Sequence, residues 1–150
     1  MTPELAFVFD LRFEFEHRFD YQSMSGRRGF TDLKGGTVEG PRFTGIVYPG
    51  GGDWPLFRDD GVAEFDSRHF IRAEDGTNIY MRNRGIHRGT LESVAAIRAG
   101  EAPPEGSYYL RCAPIFDAPV GPHDWLTKTT FVGVGEHLAG GVAFKMFEVL

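Results

Sequence analysis

A chain of 150 residues, 41% hydrophobic and 25% charged, is long enough to bury about two-thirds of its unfolded surface in one core, and its ordinary composition disfavours disorder. The formal charge of −5 argues against a general nucleic-acid binder, which needs an electropositive face to release phosphate counterions. No apolar run approaches the roughly 20 residues that cross a bilayer; Met1-Thr2-Pro3-Glu4 lacks a signal-peptide pattern. The lone Cys112 cannot form an internal disulfide, so the expectation is one cytoplasmic domain over residues 1–150 with no membrane partner.

The first segment, Glu4 to Glu16, alternates almost perfectly. Leu5, Phe7, Phe9, Leu11, Phe13 and Phe15 fall on one side, with Asp10, Arg12, Glu14 and Glu16 on the other, which is the period of a long half-buried strand. Phe7, Phe9, Phe13 and, farther on, Phe70 are expected in the core. Phe30 to Glu39 and Arg42 to Tyr48 read as the next strands. Gly50-Gly51-Gly52 then lets the backbone turn sharply ahead of Asp53 and Trp54. Asp75-Gly76 sits between two β-rich runs, Val62 to Ala73 and Asn78 to Asn83, and is a strong hairpin signal. With Asp75 and Gly76 as the central turn residues, Arg68 faces Asn83, Phe70 faces Met81, and Asp66 shares their side; a slip of one residue inverts this pattern.

Thr90 to Ala99 forms the only convincing helix, with Thr90 as cap and Gly100 as stop. Tyr108 to Phe116, Thr127 to Val134 and Val142 to Leu150 complete the meander. About eight strands and one short helix favour an all-β fold, a closed antiparallel barrel, over a sandwich, because closure removes the edges that long apolar strands expose.

Three constellations carry candidate chemistry, each with a structural alternative. Asp53 is either a turn acceptor or a base whose pKa is raised by burial, and Trp54 either plugs the barrel end or packs on a flat ligand. Asp66 and Arg68 form either a self-satisfied network with Asn83 or an acid and an anion clamp left partly open. Arg111, with Tyr109 on its face, is either a solvated arginine or a second clamp. Asp53 and Asp66 are thus the candidate catalytic residues, and Trp54, Arg68, Asn83, Tyr109 and Arg111 the candidate ligand-binding ones. The five histidines stand far apart without HxH or HxxxH spacing, so no metal is expected. No nucleophile elbow, P-loop or dinucleotide fingerprint occurs, so no cofactor is expected.

The spaced residues Gly35-Gly36, Gly40-Pro41, Pro49-Gly50-Gly51, Asp53-Trp54, Asp66, Arg68, Asp75-Gly76, Asn83-Arg84-Gly85, Tyr109, Arg111, Pro114 and Trp125-Leu126 resemble the pattern of domain of unknown function 3237, also called UPF0311. The similarity runs nearly end to end. It implies a closed barrel of the broad kind that allene oxide cyclases, lipocalins and dirigent proteins use, and little about activity. His69 departs from it, standing where an aromatic such as tyrosine is expected. The reading that follows is a barrel binding a small, largely apolar molecule with a carbonyl or carboxylate, acted on by cofactor-free isomerase, cyclase or lyase chemistry. A carrier or sensor with the same cavity is the alternative. A homo-oligomer is compatible with the sequence, which does not fix the oligomeric state.

Overall fold

The structure, a computed structural model, describes residues 1–150. Its strands are β1 (Leu5–Ser23), β2 (Gly26–Glu39), β3 (Thr44–Val47), β4 (Gly52–Asp53), β5 (Leu56–Phe57), β6 (Val62–Ala73), β7 (Asn78–Gly89), β8 (Tyr108–Asp117), β9 (Phe131–Leu138) and β10 (Gly141–Val149). The α-helix α1 spans Leu91–Arg98, and a 3-10 helix, η1, spans Asp124–Lys128. The antiparallel order runs β1-β10-β9-β8-β7-β6, the short β3, β4 and β5 bridge β6 to β2, and β2 pairs with β1 to close a ring of eight positions. This is the closed barrel that the alternating segments predict. Thr127, expected in a strand, lies instead in η1, and β9 begins at Phe131.

β1 shows how a local irregularity redirects a stripe. Phe9, Leu11 and Phe13 are buried as their alternation requires, but a bulge between Phe7 and Phe9 inserts Val8 into the ladder. The extra residue reverses the faces on its far side. Val8 is buried, and Phe7 is left 43% exposed, a correction to its expected burial.

The β6–β7 hairpin departs from expectation for a related reason. Its loop has three residues, Glu74, Asp75 and Gly76: Ala73 N–H donates to Thr77 O, Gly76 N–H donates to Ala73 O, and Gly76 adopts a φ of 86°. A type I turn closed by a left-handed glycine thus replaces the two-residue turn. The added residue shifts the ladder by one, so that Ser67 pairs with Asn83, Arg68 with Arg82 and Phe70 with Tyr80. Ser67, His69, Ile71, Ile79, Met81 and Asn83 face inward, while Asp66, Arg68, Phe70 and Arg82 face outward. Phe70 is 55% exposed, and the expected pairing of Arg68 with Asn83 on one face is corrected.

The two ends of the barrel differ. At one, Phe9 packs edge-on against Phe43 and Phe116, Phe116 against Phe131, and Phe131 against Trp125 of η1, with ring centroids 5.2–6.0 Å apart. Leu126 of η1 is 1% exposed, and Arg42 lies over the Trp125 ring at 3.4 Å. That end is plugged. At the other end β10 begins at Gly141, opposite Glu14, while β1 runs on to Ser23 paired with β2 alone. α1 leans into this gap: Arg18 Nη1 donates to Ile97 O at 2.9 Å, and Gly140 N–H donates to Gly100 O at 3.1 Å. The helix starts as its sequence predicts, with Thr90 Oγ1 accepting from Ser93 N–H. No helix is long and apolar enough to cross a membrane.

Candidate functional site

The polar lumen of the open end is the candidate site. Asp53 reaches it because β4 threads between β2 and β6, where it pairs with Thr31 on one side and Ser67 on the other. Both partners are buried and inward, so Asp53 shares their face and its neighbour Trp54 takes the outer one. The glycines ahead of it permit the approach: Gly51 has a φ of 68°, and a Cβ there would stand 2.4 Å from Arg68 O. Any side chain would force β4 away from β6.

Walls withhold bulk water from Asp53, although its lumenal face keeps it only half-buried. This desolvation, helped by the charge of nearby Asp66, pushes the carboxyl up to about 7. Its Oδ1 accepts the Asp66 backbone N–H at 3.0 Å, which opposes the rise without cancelling it. Burial and not the indole is the cause. Trp54 is 46% exposed and packs outside against Phe30.

Asn83 lies in the same row, one strand beyond Ser67, whose Oγ donates to Asn83 O at 3.2 Å. Its amide is fully buried against the Cys112 thiol, whose pKa it acts to lower, and neither Oδ1 nor Nδ2 meets a nitrogen or oxygen partner. At the strand spacing of about 4.8 Å, Asp53 and Asn83 lie about 10 Å apart along the same wall, with Ser67 between them. Toward the mouth, His87, Tyr108 and His137 form one contact group: His137 N–H donates to Tyr108 Oη, and the His87 and His137 rings lie 5.1 Å apart. Burial holds both imidazoles neutral, with His137 at about 3. Deeper in, His69 stacks on Phe13 at 4.5 Å, its Nδ1 unpartnered and its pKa lowered to about 4 by burial. Cys112 is buried, its thiol pushed up to about 12, as expected of a small apolar filler rather than a nucleophile. No three histidine, cysteine, aspartate or glutamate side chains converge as a metal set would.

Only Asp53 and Asn83 of the seven candidate residues reach this lumen; the gathering of all around one cavity is corrected. Asp66 is on the outer wall in a two-pronged pair with Arg82, at 3.0 and 2.7 Å, and that hydrogen-bonded guanidinium holds its carboxyl below the usual range. Arg68 is exposed opposite Arg82. Arg111 lies outside over the ring of Tyr109, its Nη1 donating to Leu110 O. The three-residue loop is the reason for β6, and simple alternation is the reason for β8, where Leu110, Cys112, Pro114 and Phe116 take the inward positions. Arg18, His87, Tyr108 and His137 were missed. Tyr108 was readable, since it alternates in step with Leu110 and Cys112; Arg18 lies past two irregularities in β1 that scramble its phase.

A family model described as protein of unknown function (DUF3237) matches residues 3–149. The chain belongs to this family. A UPF0311 protein of Clostridium acetobutylicum is 34% identical over 124 residues, covering 83% of this chain and 78% of the relative; one from Rhodopseudomonas palustris is 28% identical over 126 residues, covering 84% and 82%. A conserved R. palustris protein of unknown function matches this DUF3237 barrel with a TM-score of 0.94 at 26% identity, covering 100% of this chain and 99% of that one. A barrel-like protein of Acinetobacter baumannii matches at 0.86 and 23% identity, covering 100% and 98%. An enzyme from Penicillium herquei matches at 0.72 and 20%, covering 100% and 96%; these last two likenesses concern the fold alone.

Proposed function

We propose that the open end of the barrel binds a small, largely apolar molecule bearing a carbonyl or carboxylate oxygen, and that Asp53 moves a proton on it in cofactor-independent isomerase, cyclase or lyase chemistry. The observation that carries this reading is a lumenal carboxyl whose pKa of about 7 lies near neutral pH. A carboxyl so poised serves as base when ionised and as acid once it has taken a proton, and one group can complete an isomerisation by returning the proton at another atom. Asn83 Nδ2, buried without a nitrogen or oxygen acceptor, supports this reading as a donor to an oxygen on which charge develops. A row with a proton-transfer group at one end and a donor at the other suits a planar conjugated substrate lying along it. That a protein of the same fold is described as an enzyme adds the capacity of the barrel for catalysis and nothing about the reaction.

Solvent-exchange labelling tests this without a named substrate. Protein incubated in D2O with a bacterial small-molecule extract is expected to place solvent deuterium in a carbon-bound position of one metabolite, read by mass spectrometry. Asp53→Asn should bind that metabolite and leave it unlabelled. A molecule that co-purifies with the wild-type protein and never exchanges or converts would favour the carrier reading instead.

A further inference from the structure

We infer that the gap between β1, α1 and the β9–β10 turn is an anion-recognition subsite, with Arg18 as its anchor, so that the ligand of the barrel is an anionic amphiphile. This deepens the reading above and rests on the lumen taking a small molecule. The gap forms a cavity of about 290 Å³ bounded by Phe15, Arg18, Ile97, Arg98, His137 and Leu138. One of its walls, His137, packs against His87 and Tyr108 on the lumenal side.

Arg18 and Arg98 both border this cavity. Arg18 as a whole is solvent-exposed, with its guanidinium end partly enclosed at the mouth and held by one neutral acceptor, the Ile97 carbonyl at the C-terminal end of α1. None of the ion pairs of the chain includes Arg18 or Arg98. Glu16 and Glu101 also border the cavity and pair with neither. Burial and the like charge of Arg98 both disfavour the Arg18 cation, and Asp53 is the strongest charge favouring it. That support is incomplete near neutral pH, where Asp53 is close to half-protonated. A partly desolvated guanidinium with free donors and a fading counter-charge is most stable with an external anion beside it. The planar fork matches a carboxylate, sulfonate or phenolate oxygen. Phe15, Ile97 and Leu138 bracket the passage inward and would cover the apolar part of the same molecule.

The experiment compares two fluorescent probes of nearly the same shape, 8-anilino-1-naphthalenesulfonate and its uncharged parent N-phenyl-1-naphthylamine. Wild-type protein should bind the sulfonate more tightly. Arg18→Gln should weaken sulfonate binding by about tenfold or more, the scale of a lost charge-assisted hydrogen bond, and leave the uncharged probe within about twofold. Arg18→Lys should recover part of the loss, and Arg68→Gln on the outer wall should change neither affinity. Ala99→Trp, which places an indole in the gap, should displace both probes. Equal affinity for the two probes, an equal loss of both in Arg18→Gln, or sulfonate binding that survives Ala99→Trp would overturn the inference while the lumenal binding site stands. Failure of both probes to bind would remove the small-molecule reading and this inference together. Circular dichroism on each variant separates loss of the site from loss of the fold.

Discussion

The two ends of this barrel do opposite things. At the plugged end, aromatic side chains from β1, β8 and β9 meet edge to face and η1 closes over them, so each residue there is held by packing. At the open end, inward positions of β4, β7 and β9 carry Asp53, Asn83, His87 and His137, several with polar atoms that meet no partner. Packing stabilises and unpaired polarity costs. The barrel therefore concentrates its aromatic packing at one end and most of its unpaired polar atoms at the other, with Thr44 Oγ1 and His123 Nδ1 the exceptions at the plugged end.

The largest test of that division is truncation. Phe9→Ala, at the plugged end, should cost about 3–5 kcal/mol because a fully buried ring leaves a cavity that its neighbours cannot fill. Phe15→Ala, half-buried beside the open mouth, should cost only about 1–2 kcal/mol. Urea titration of both variants reads the difference, and equal losses would break the contrast between the ends.

A second test uses pH. The folded pKa of Asp53, about 7, exceeds its ordinary 3.8, so the folded state holds the proton more tightly than the unfolded one. Its contribution to stability is fully present below about pH 4 and is lost as the pH rises toward and through 7. Asp53→Asn, which keeps a neutral acceptor for the Asp66 N–H, should therefore raise stability by about 1–3 kcal/mol at pH 8 and change little at pH 4. His69 and His137 act with the opposite sign. Their folded pKa values, about 4 and about 3, lie below the ordinary 6.5, so the stability they support is present above pH 6.5 and is lost as acid protonates the unfolded chain first. Thermal melts across pH 4 to 8 in wild type and Asp53→Asn check both signs; a variant profile parallel to wild type would show that Asp53 is not the group responsible.

The smallest effect belongs to the outer wall. Asp66→Asn breaks a pair that is about one-third exposed on each partner, where water already screens the charges. The melting temperature should move by no more than about 2 °C, and binding of either naphthyl probe should not change. A large effect on probe affinity would return Asp66 to the site.

The barrel was legible because alternation in β1 and glycine-marked turns are local signals that closure converts into one architecture. The site was harder. Asp53 could be read from the glycines that deliver it, yet its burial depends on Thr31 and Ser67, which reach it from elsewhere in the chain. Arg18 was not readable at all. Its significance comes from the helix carbonyl and the ladder gap beside it, and the β1–β2 register shifts just before it reaches Arg18. His137 follows Phe131, Gly133 and Gly135 at inward positions, but two glycines leave that stripe without the apolar residues that would mark its face.

Gly76 carries a consequence of parity. A strand offers two sets of side chains, odd and even, and the count of residues in a hairpin loop decides which set of one strand stands beside which set of the next. With three residues in the loop, the inward set of β6, His69 and Ser67, meets the inward set of β7, Met81 and Asn83, while arginines from both strands share the outside. Shortening the loop by one would place Arg68 across from Asn83 and set a guanidinium against the core. An exposed turn far from the mouth, at the opposite end of the barrel, thereby selects which chemistry the lumen contains.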